Sequence, residues 1–229
     1  MTQDTYLHQD AALPTPRTLV LRRRIRWIVA VTISYNVLEA IIAITAGSVA
    51  SSAALIGFGL DSIVEVLSAA AIAWQFSAPD PETREKTALR LIAVSFFALA
   101  LYVTIDAGLS LAGINTAAHS TLGIILTALS LLIMPFLSFM ERRTGTELGS
   151  ASAVADSKQT LICAYLSAAV LLGLLLNSLF GWAWADAIAA LVVVFFAVRE
   201  GVEAWKGESC TVPISALTGE LETADEHQH

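Results

Sequence analysis

Residues 57–76 read GFGLDSIVEVLSAAAIAWQF, an apolar stretch long enough to cross a lipid bilayer but with two acidic residues inside it. About 20 consecutive apolar residues suffice for a membrane-spanning α-helix. Asp61 and Glu65 are four positions apart, which places both on one helix face, one turn apart. Because a carboxylate at the bilayer centre costs roughly 2.5–3.5 kcal/mol on insertion scales, this pair predicts a functional site.

The rest of the chain has the same apolar character. Of its 229 residues, 56% are hydrophobic and 14% are charged, whereas a soluble domain has roughly 45–50% and 25%. The apolar residues come in long blocks, so the sequence predicts an integral membrane protein. A net charge of −7 and the lack of a basic face argue against a nucleic-acid partner. Two cysteines, Cys163 and Cys210, predict no disulfide framework.

Hydropathy predicts an all-α membrane protein with six transmembrane helices, at residues 25–47, 52–76, 88–113, 119–140, 155–179 and 182–204. Short connections after spans one, three and five predict three tight antiparallel hairpins. Three regions are expected along the chain: a cytoplasmic N-terminal arm (1–24), a transmembrane domain (25–206) and an acidic, disordered cytoplasmic tail (207–229).

The distribution of basic residues predicts the orientation. The connections after spans one, three and five contain no Lys or Arg, and all 13 basic residues lie on the other side or at its membrane edge. By the positive-inside rule both termini are cytoplasmic. We expect a multi-pass protein of a bacterial-type inner membrane, with the lipid bilayer as its surroundings. Stretches of small residues permit close helix packing and therefore a homodimer.

The fifth span offers partners for the two acids. It begins ADSKQTLICAYLSAAVLLG, where Gln159 and Cys163 repeat the four-residue spacing. Antiparallel pairing of spans two and five would bring Asp61 to Cys163 and Glu65 to Gln159. Two carboxylates, a thiolate and an amide oxygen would then form a four-ligand cation site. The alternative is that the acids are protonated or hydrogen-bonded to hydroxyls, with Cys163 serving as a small hydrophobic residue.

Other polar residues have structural and functional interpretations. Glu39 and Asp106, within spans one and three, either line an outward ion or proton path or make interhelical hydrogen bonds. Asp156 and Asp186 begin spans five and six, where an acid favours the helix dipole and caps free N–H groups. The sequence places no nucleophile beside His119, which gives no support to an intramembrane hydrolase.

Three stretches together resemble one family: SYNVLEAIIAITAGSVASSAAL and SSAALIGFGLDSIVEVLSA in the first two spans, and ADSKQTLICAYLSA in the fifth. They are similar to the cation diffusion facilitator (cation efflux) family, whose members have six membrane helices with both ends inside. WADAIAAL, with Asp186, resembles the start of that family's sixth helix. The resemblance covers residues 25–206 and places Asp61, Glu65, Gln159 and Cys163 on the family's metal-ligand positions.

The chain also departs from the family pattern, as a divergent member consisting of the transmembrane domain. Phe58 stands where the second helix usually has an aspartate, and Gln159 and Cys163 replace the usual His and Asp of the fifth helix. We expect the family's cytoplasmic metal-binding domain to be missing, since only about twenty residues follow the last span. The second-helix pattern also resembles that of the zinc-binding transmembrane protein 163 group.

The resemblance implies a secondary transporter rather than an enzyme. We expect proton-coupled efflux of a divalent transition-metal ion by alternating access around a midplane site. Asp61 and Glu65 would exchange the ion for protons, so that affinity rises with pH. Zinc is the favoured substrate, with iron(II), cobalt and manganese as alternatives. The competing interpretation is a non-transporting metal-binding or regulatory membrane protein that retains the fold.

Overall fold

The computed structural model describes residues 16–76, 82–148 and 151–207, and these residues form helices and no β-strand. The helices in chain order are α1 (Pro16–Ala50), α2 (Ala53–Phe76), α3 (Glu82–Leu111), α4 (Thr121–Leu148), α5 (Ala151–Phe180) and α6 (Ala183–Lys206). This confirms the all-α prediction. Helix α1 begins inside the predicted arm, at Pro16, because the fixed φ of proline suits the first turn of a helix. Residues 1–15 and most of the predicted tail lie outside the described residues.

Five of the six described helices, α1 to α5, are long and apolar enough to cross a membrane. Helix α6 does not meet the same criteria, because charged residues occupy both of its ends. Asp186 lies in its first turn, and Arg199, Glu200 and Glu203 lie in its last third. Many large apolar side chains on all six described helices, α6 included, point outward, as expected for surfaces that face lipid. The orientation of the termini stays a prediction.

The helices pack most closely as the pairs α1 with α2, α3 with α6, and α4 with α5. Helix α2 also packs on α3 and α6, and more sparsely on α5. The predicted hairpins α1–α2 and α5–α6 are present, but the prediction of an α3–α4 hairpin is wrong. These two helices scarcely touch, because residues 112–120 form a connection long enough to separate them. A nine-residue connection is thus long enough for two consecutive helices to pack against other neighbours.

The turn between α1 and α2 depends on close backbone packing. The Ser52 amide donates a 3.0 Å hydrogen bond to the carbonyl of Gly47, and Ser51 adopts a left-handed φ of 53°. A Cβ atom on Gly47 would lie 2.8 Å from the Ile56 side chain and backbone, and one on Gly59 would lie 2.9 Å from Ala43. Such separations are too short for carbon atoms, so these glycines let α1 and α2 approach closely.

A buried acid closes the N-terminus of α2. Asp186 is fully buried, accepts a 2.5 Å hydrogen bond from the Ser52 hydroxyl and a 3.3 Å bond from the Ala54 amide. We call this arrangement the Asp186 cap, consisting of Asp186, Ser52 and the Ala54 amide. The expectation that Asp186 caps its own helix is wrong, because its carboxylate points to the free amide groups of α2 instead. The contact fixes α6 to the start of α2.

Candidate metal site

Two acids and a thiol converge in the interior between α2 and α5. Potential ligand atoms of Asp61, Glu65 and Cys163 all lie within 4.8 Å of one another. We call these three residues the acid–thiol cluster. Asp61 and Cys163 are buried and Glu65 is half-buried. The structure thus brings together three of the four residues singled out from the sequence, while their role as metal ligands stays a prediction.

Glu65 is the acid of the cluster that accepts hydrogen bonds. Its Oε1 accepts a hydrogen bond from the Cys163 thiol, and its Oε2 accepts a 2.6 Å bond from Nδ2 of Asn36. The antiparallel pairing predicted that Cys163 would face Asp61, whereas its hydrogen bond is to Glu65. The side chain of Gln159 lies outside the described residues, so its predicted contact with Glu65 and its role as a ligand stay predictions.

Asp61 has a different environment from Glu65. Within the described ranges, no side-chain or backbone donor makes a hydrogen bond to its carboxylate, although only 6% of the residue is exposed. Glu39 and Glu200 lie close enough for a negative charge on either to disfavour a negative charge on Asp61. A buried carboxylate without donors is costly. A bound cation would remove that cost, and so would protonation of the acid, the alternative stated from the sequence.

The separation of the donor atoms suits a single ion. Zinc–oxygen and zinc–sulfur bonds of about 2.0–2.3 Å, set at tetrahedral angles, place donor atoms about 3.5 Å apart. The observed upper bound of 4.8 Å requires only small side-chain movements to reach that spacing. Phe58, in the position of the family's usual aspartate, is instead 1% exposed and packs in the apolar core. It therefore offers no ligand.

The family assignment rests on the last four helices of the chain. The model of the cation efflux transmembrane domain matches residues 88–206, just over half of the chain's 229 residues. The protein belongs to the cation efflux family. No match to a curated protein was found. Since this is a family of metal cation transporters, the class of cargo is a metal cation.

The matched segment of the cation efflux domain covers α3 to α6 and includes Cys163. Asp61 and Glu65 precede it, so their identification depends on the second-helix pattern and on their contact with Cys163. The similarity to the transmembrane protein 163 group stays a prediction.

Glu39 lies at the centre of a second polar network in this cation efflux protein. The hydroxyls of Ser62 and Ser130 donate to its carboxylate, the first at 2.9 Å, and the Tyr35 hydroxyl lies 2.6 Å from that of Ser130. Glu39 is 1% exposed. These contacts join α1, α2 and α4 and match the interhelical hydrogen-bond interpretation. Asp106, by contrast, has no hydrogen bond to its side chain in the part of the chain described here.

Sequence reasoning did not identify three polar residues as functional groups: Asn36, Glu200 and Glu141. Asn36 donates a hydrogen bond to Glu65, and a negative charge on Glu200 would disfavour one on Asp61. Glu141 is 1% exposed and accepts a 3.2 Å hydrogen bond from Thr160 between α4 and α5. Each is a polar residue within or near an apolar block. That signal is visible in the sequence, but the partner on another helix is not.

His119 lies in the connection before α4, where hydroxyls contact both ring nitrogens. Ser178 lies 2.6 Å from Nδ1, and Thr121 lies 2.8 Å from Nε2. The structure therefore places a serine beside this histidine, which the sequence did not reveal. No carboxylate hydrogen-bonds to His119 within residues 82–148 or the other described ranges, and the group is exposed. The contacts join the start of α4 to the end of α5.

Proposed function

We propose that this protein is a secondary transporter that exports a divalent transition-metal ion, zinc above all, in exchange for protons. The acid–thiol cluster would bind the ion about midway through the membrane. The observation that carries the proposal is the convergence of Asp61, Glu65 and Cys163 within 4.8 Å, with a carboxylate that has no donor among the described residues. Helix α2 begins at Ala53, so Asp61 lies roughly 12 Å along it, near the middle of a ~30 Å hydrocarbon core.

The donor set favours zinc over harder ions. Carboxylate oxygens bind magnesium and manganese as well as zinc, but a cysteine sulfur favours softer metals. In the structure the thiol donates its hydrogen to Glu65, so the proton must leave before sulfur can bind a metal. Binding therefore releases protons, and affinity for the ion rises with pH. An inward proton gradient would then favour release of the ion on the acidic side.

The experiment is proton-coupled metal flux in proteoliposomes that contain the purified full chain. We expect zinc movement driven by a pH gradient and its loss in Asp61→Asn, which removes the charge and keeps the shape. Glu203→Gln is the matched control, because Glu203 pairs with Arg199 at the end of α6, outside the cluster. Wild-type flux in Asp61→Asn would overturn the proposal.

The second candidate is a membrane protein that binds a metal without transporting it. It is favoured by the replacement of the family's usual fifth-helix His and Asp by Gln159 and Cys163. The same vesicles separate the two functions. Zinc binding that depends on Asp61 without any zinc flux would identify the binding protein, whereas flux that follows the pH gradient would identify the transporter.

A further inference from the structure

Asn36 on α1 has an unusual combination of contacts. Its Nδ2 donates the 2.6 Å hydrogen bond to Oε2 of Glu65, which fixes the carboxamide beside the acid–thiol cluster. Its Oδ1 is buried and has no hydrogen-bond partner in the described residues. The whole residue is only 5% exposed. The amide nitrogen therefore makes a hydrogen bond, and the amide oxygen has none from the described residues.

A buried amide oxygen without a partner needs an explanation. Leaving such an acceptor unsatisfied costs about 1–3 kcal/mol, and the large majority of buried polar groups are paired. Exchanging the positions of Nδ2 and Oδ1 does not solve the problem, because it would place a carbonyl oxygen against the carboxylate of Glu65. The Glu65 contact thus requires the amide orientation that leaves Oδ1 free.

The position of Oδ1 follows from the amide itself. Oδ1 and Nδ2 are bonded to the same carbon, so Oδ1 lies next to the hydrogen bond that holds Glu65. Asp61, one turn away on α2, likewise has no donor among the described residues. Counting only the side chains that the structure describes, Asp61 and Asn36 both present oxygen acceptors without a donor here, which is an environment that a cation satisfies.

We propose that Oδ1 of Asn36 is a direct ligand of the metal ion, completing a four-donor site with Asp61, Glu65 and Cys163. This inference rests on the proposed function, and it adds a ligand from α1 to a site that the sequence assigned to α2 and α5. The neutral amide oxygen has an advantage over a further acid. Two carboxylates and a thiolate already exceed the charge of a divalent ion, and another anionic ligand would increase the net charge buried in lipid.

The alternative role for Asn36 is to position Glu65 through Nδ2 alone. Asn36→Asp separates the two roles, because aspartate keeps an oxygen at the position of Oδ1 and loses the donor to Glu65. A ligand role predicts that this variant binds zinc clearly more tightly than Asn36→Leu, because an oxygen stays at the ligand position. A positioning role predicts that it binds as weakly as Asn36→Leu, which loses both atoms.

The measurement is the equilibrium Kd for zinc, by competition with a chromophoric chelator, on the purified full chain in nanodiscs. We expect Asn36→Leu to raise the Kd at least about tenfold, within the range for groups that support a metal site. Asn177→Leu is the matched control, because Asn177 is a buried asparagine on α5 that donates to the Ala117 carbonyl, away from the cluster. Its Kd should stay within about twofold of wild type.

Two results would overturn the inference: an unchanged Kd in Asn36→Leu, or a Kd in Asn36→Asp that is raised as far as in Asn36→Leu. If the leucine variant does not fold, Asn36→Ala, which loses the same two atoms, takes its place in both comparisons. Failure of the proposed function looks different. In that case the wild-type protein moves no zinc along a pH gradient in proteoliposomes, or Asp61→Asn moves it as well as wild type, whatever the Asn36 variants bind.

Discussion

The acid–thiol cluster and the Asp186 cap both bury a carboxylate in the helix bundle, but they satisfy it differently. Asp186 is fully buried and accepts hydrogen bonds from the Ser52 hydroxyl and the Ala54 amide at the N-terminus of α2. Asp61 is 6% exposed and accepts none from the described residues. Two acids of similar burial therefore differ in whether the described part of the protein supplies hydrogen-bond donors to the carboxylate.

This difference separates a structural acid from a candidate binding acid. Burial alone marks both residues as costly, and it does not indicate which one has a role in transport. The number of hydrogen-bond donors that the protein supplies to each acid is the property that distinguishes the two. Asp186 is satisfied without any ligand. Glu65 instead lies in one cluster with Asp61, and Glu39 and Glu200 are close enough for a negative charge on either to disfavour one on Asp61. Among the described residues, a bound cation would supply what the protein lacks at the cluster, whereas the Asp186 cap needs none.

The largest effect on zinc affinity is expected when the charge of the cluster is removed. Asp61→Asn should raise the Kd by more than about a hundredfold, the upper range for groups that only support a metal ligand. Isothermal titration of the purified protein measures it. Asp186→Asn serves as the comparison and should keep the wild-type Kd. Equal losses in both variants would erase the distinction between the two acids.

A smaller and metal-dependent effect is expected at the thiol. Cys163→Ser keeps a hydroxyl that can donate to Glu65 but replaces sulfur by a harder oxygen. Zinc affinity should fall about tenfold, while manganese affinity should change much less, because sulfur favours the softer ion. Competition between the two ions for the same protein measures the change in preference. An unchanged zinc-to-manganese ratio would mean that sulfur is not a ligand.

Neutralising the neighbouring acid should have a modest effect. Glu39→Gln removes a negative charge that acts on Asp61 and retains the shape that Ser62 and Ser130 contact. We expect zinc affinity to fall on the order of fivefold, about 1 kcal/mol for charges separated by several ångströms in a protein interior. The zinc Kd of the variant and of wild type, determined in nanodiscs, gives this change in affinity. A loss as large as that of Asp61→Asn would place Glu39 itself on the ion.

The smallest effect on zinc is expected at the Asp186 cap, where stability should change instead. Asp186→Ala leaves the Ser52 hydroxyl and the Ala54 amide without an acceptor, which should cost about 1–3 kcal/mol of stability. The zinc Kd should stay within about twofold of wild type. Thermal unfolding of the metal-free protein gives the first quantity. Weakened zinc binding at an unchanged unfolding temperature would contradict the structural role of this residue.

The features that follow from spacing along one helix were predictable from the sequence. The four-residue spacing in α2 and again in α5 places side chains on one face of each helix, and Cys163 does meet the acids of α2. The α1–α2 hairpin follows from its two-residue connection, Ser51 and Ser52. In these cases the residues that share a helix face, or the helices that are joined, are close in the chain, so a regular helix or a short connection already determines their relative positions.

Contacts between helices that are distant in the chain could not be predicted in the same way. Asn36 and Glu39 share a face of α1 because they are three residues apart, but nothing in their spacing names Glu65 or Ser130 as a partner. Asp186 lies at the start of α6, which indicated a local cap, whereas the fold turns its carboxylate towards α2. The α3–α4 prediction failed because a nine-residue connection, 112–120, leaves both helices free to choose other neighbours.

The close contact of α1 with α2 at Gly47 and Gly59 has a mechanical consequence. These two helices are in close backbone contact at both glycines, whereas α2 touches α5 only sparsely. A shift of α5 relative to α2 would pull Cys163 away from the acids, while Asn36 would travel with Glu65 on the joined pair. A bound ion would thus lose its sulfur ligand when α5 separates from α2. The same helix movement would then both open the site and weaken its affinity for the ion.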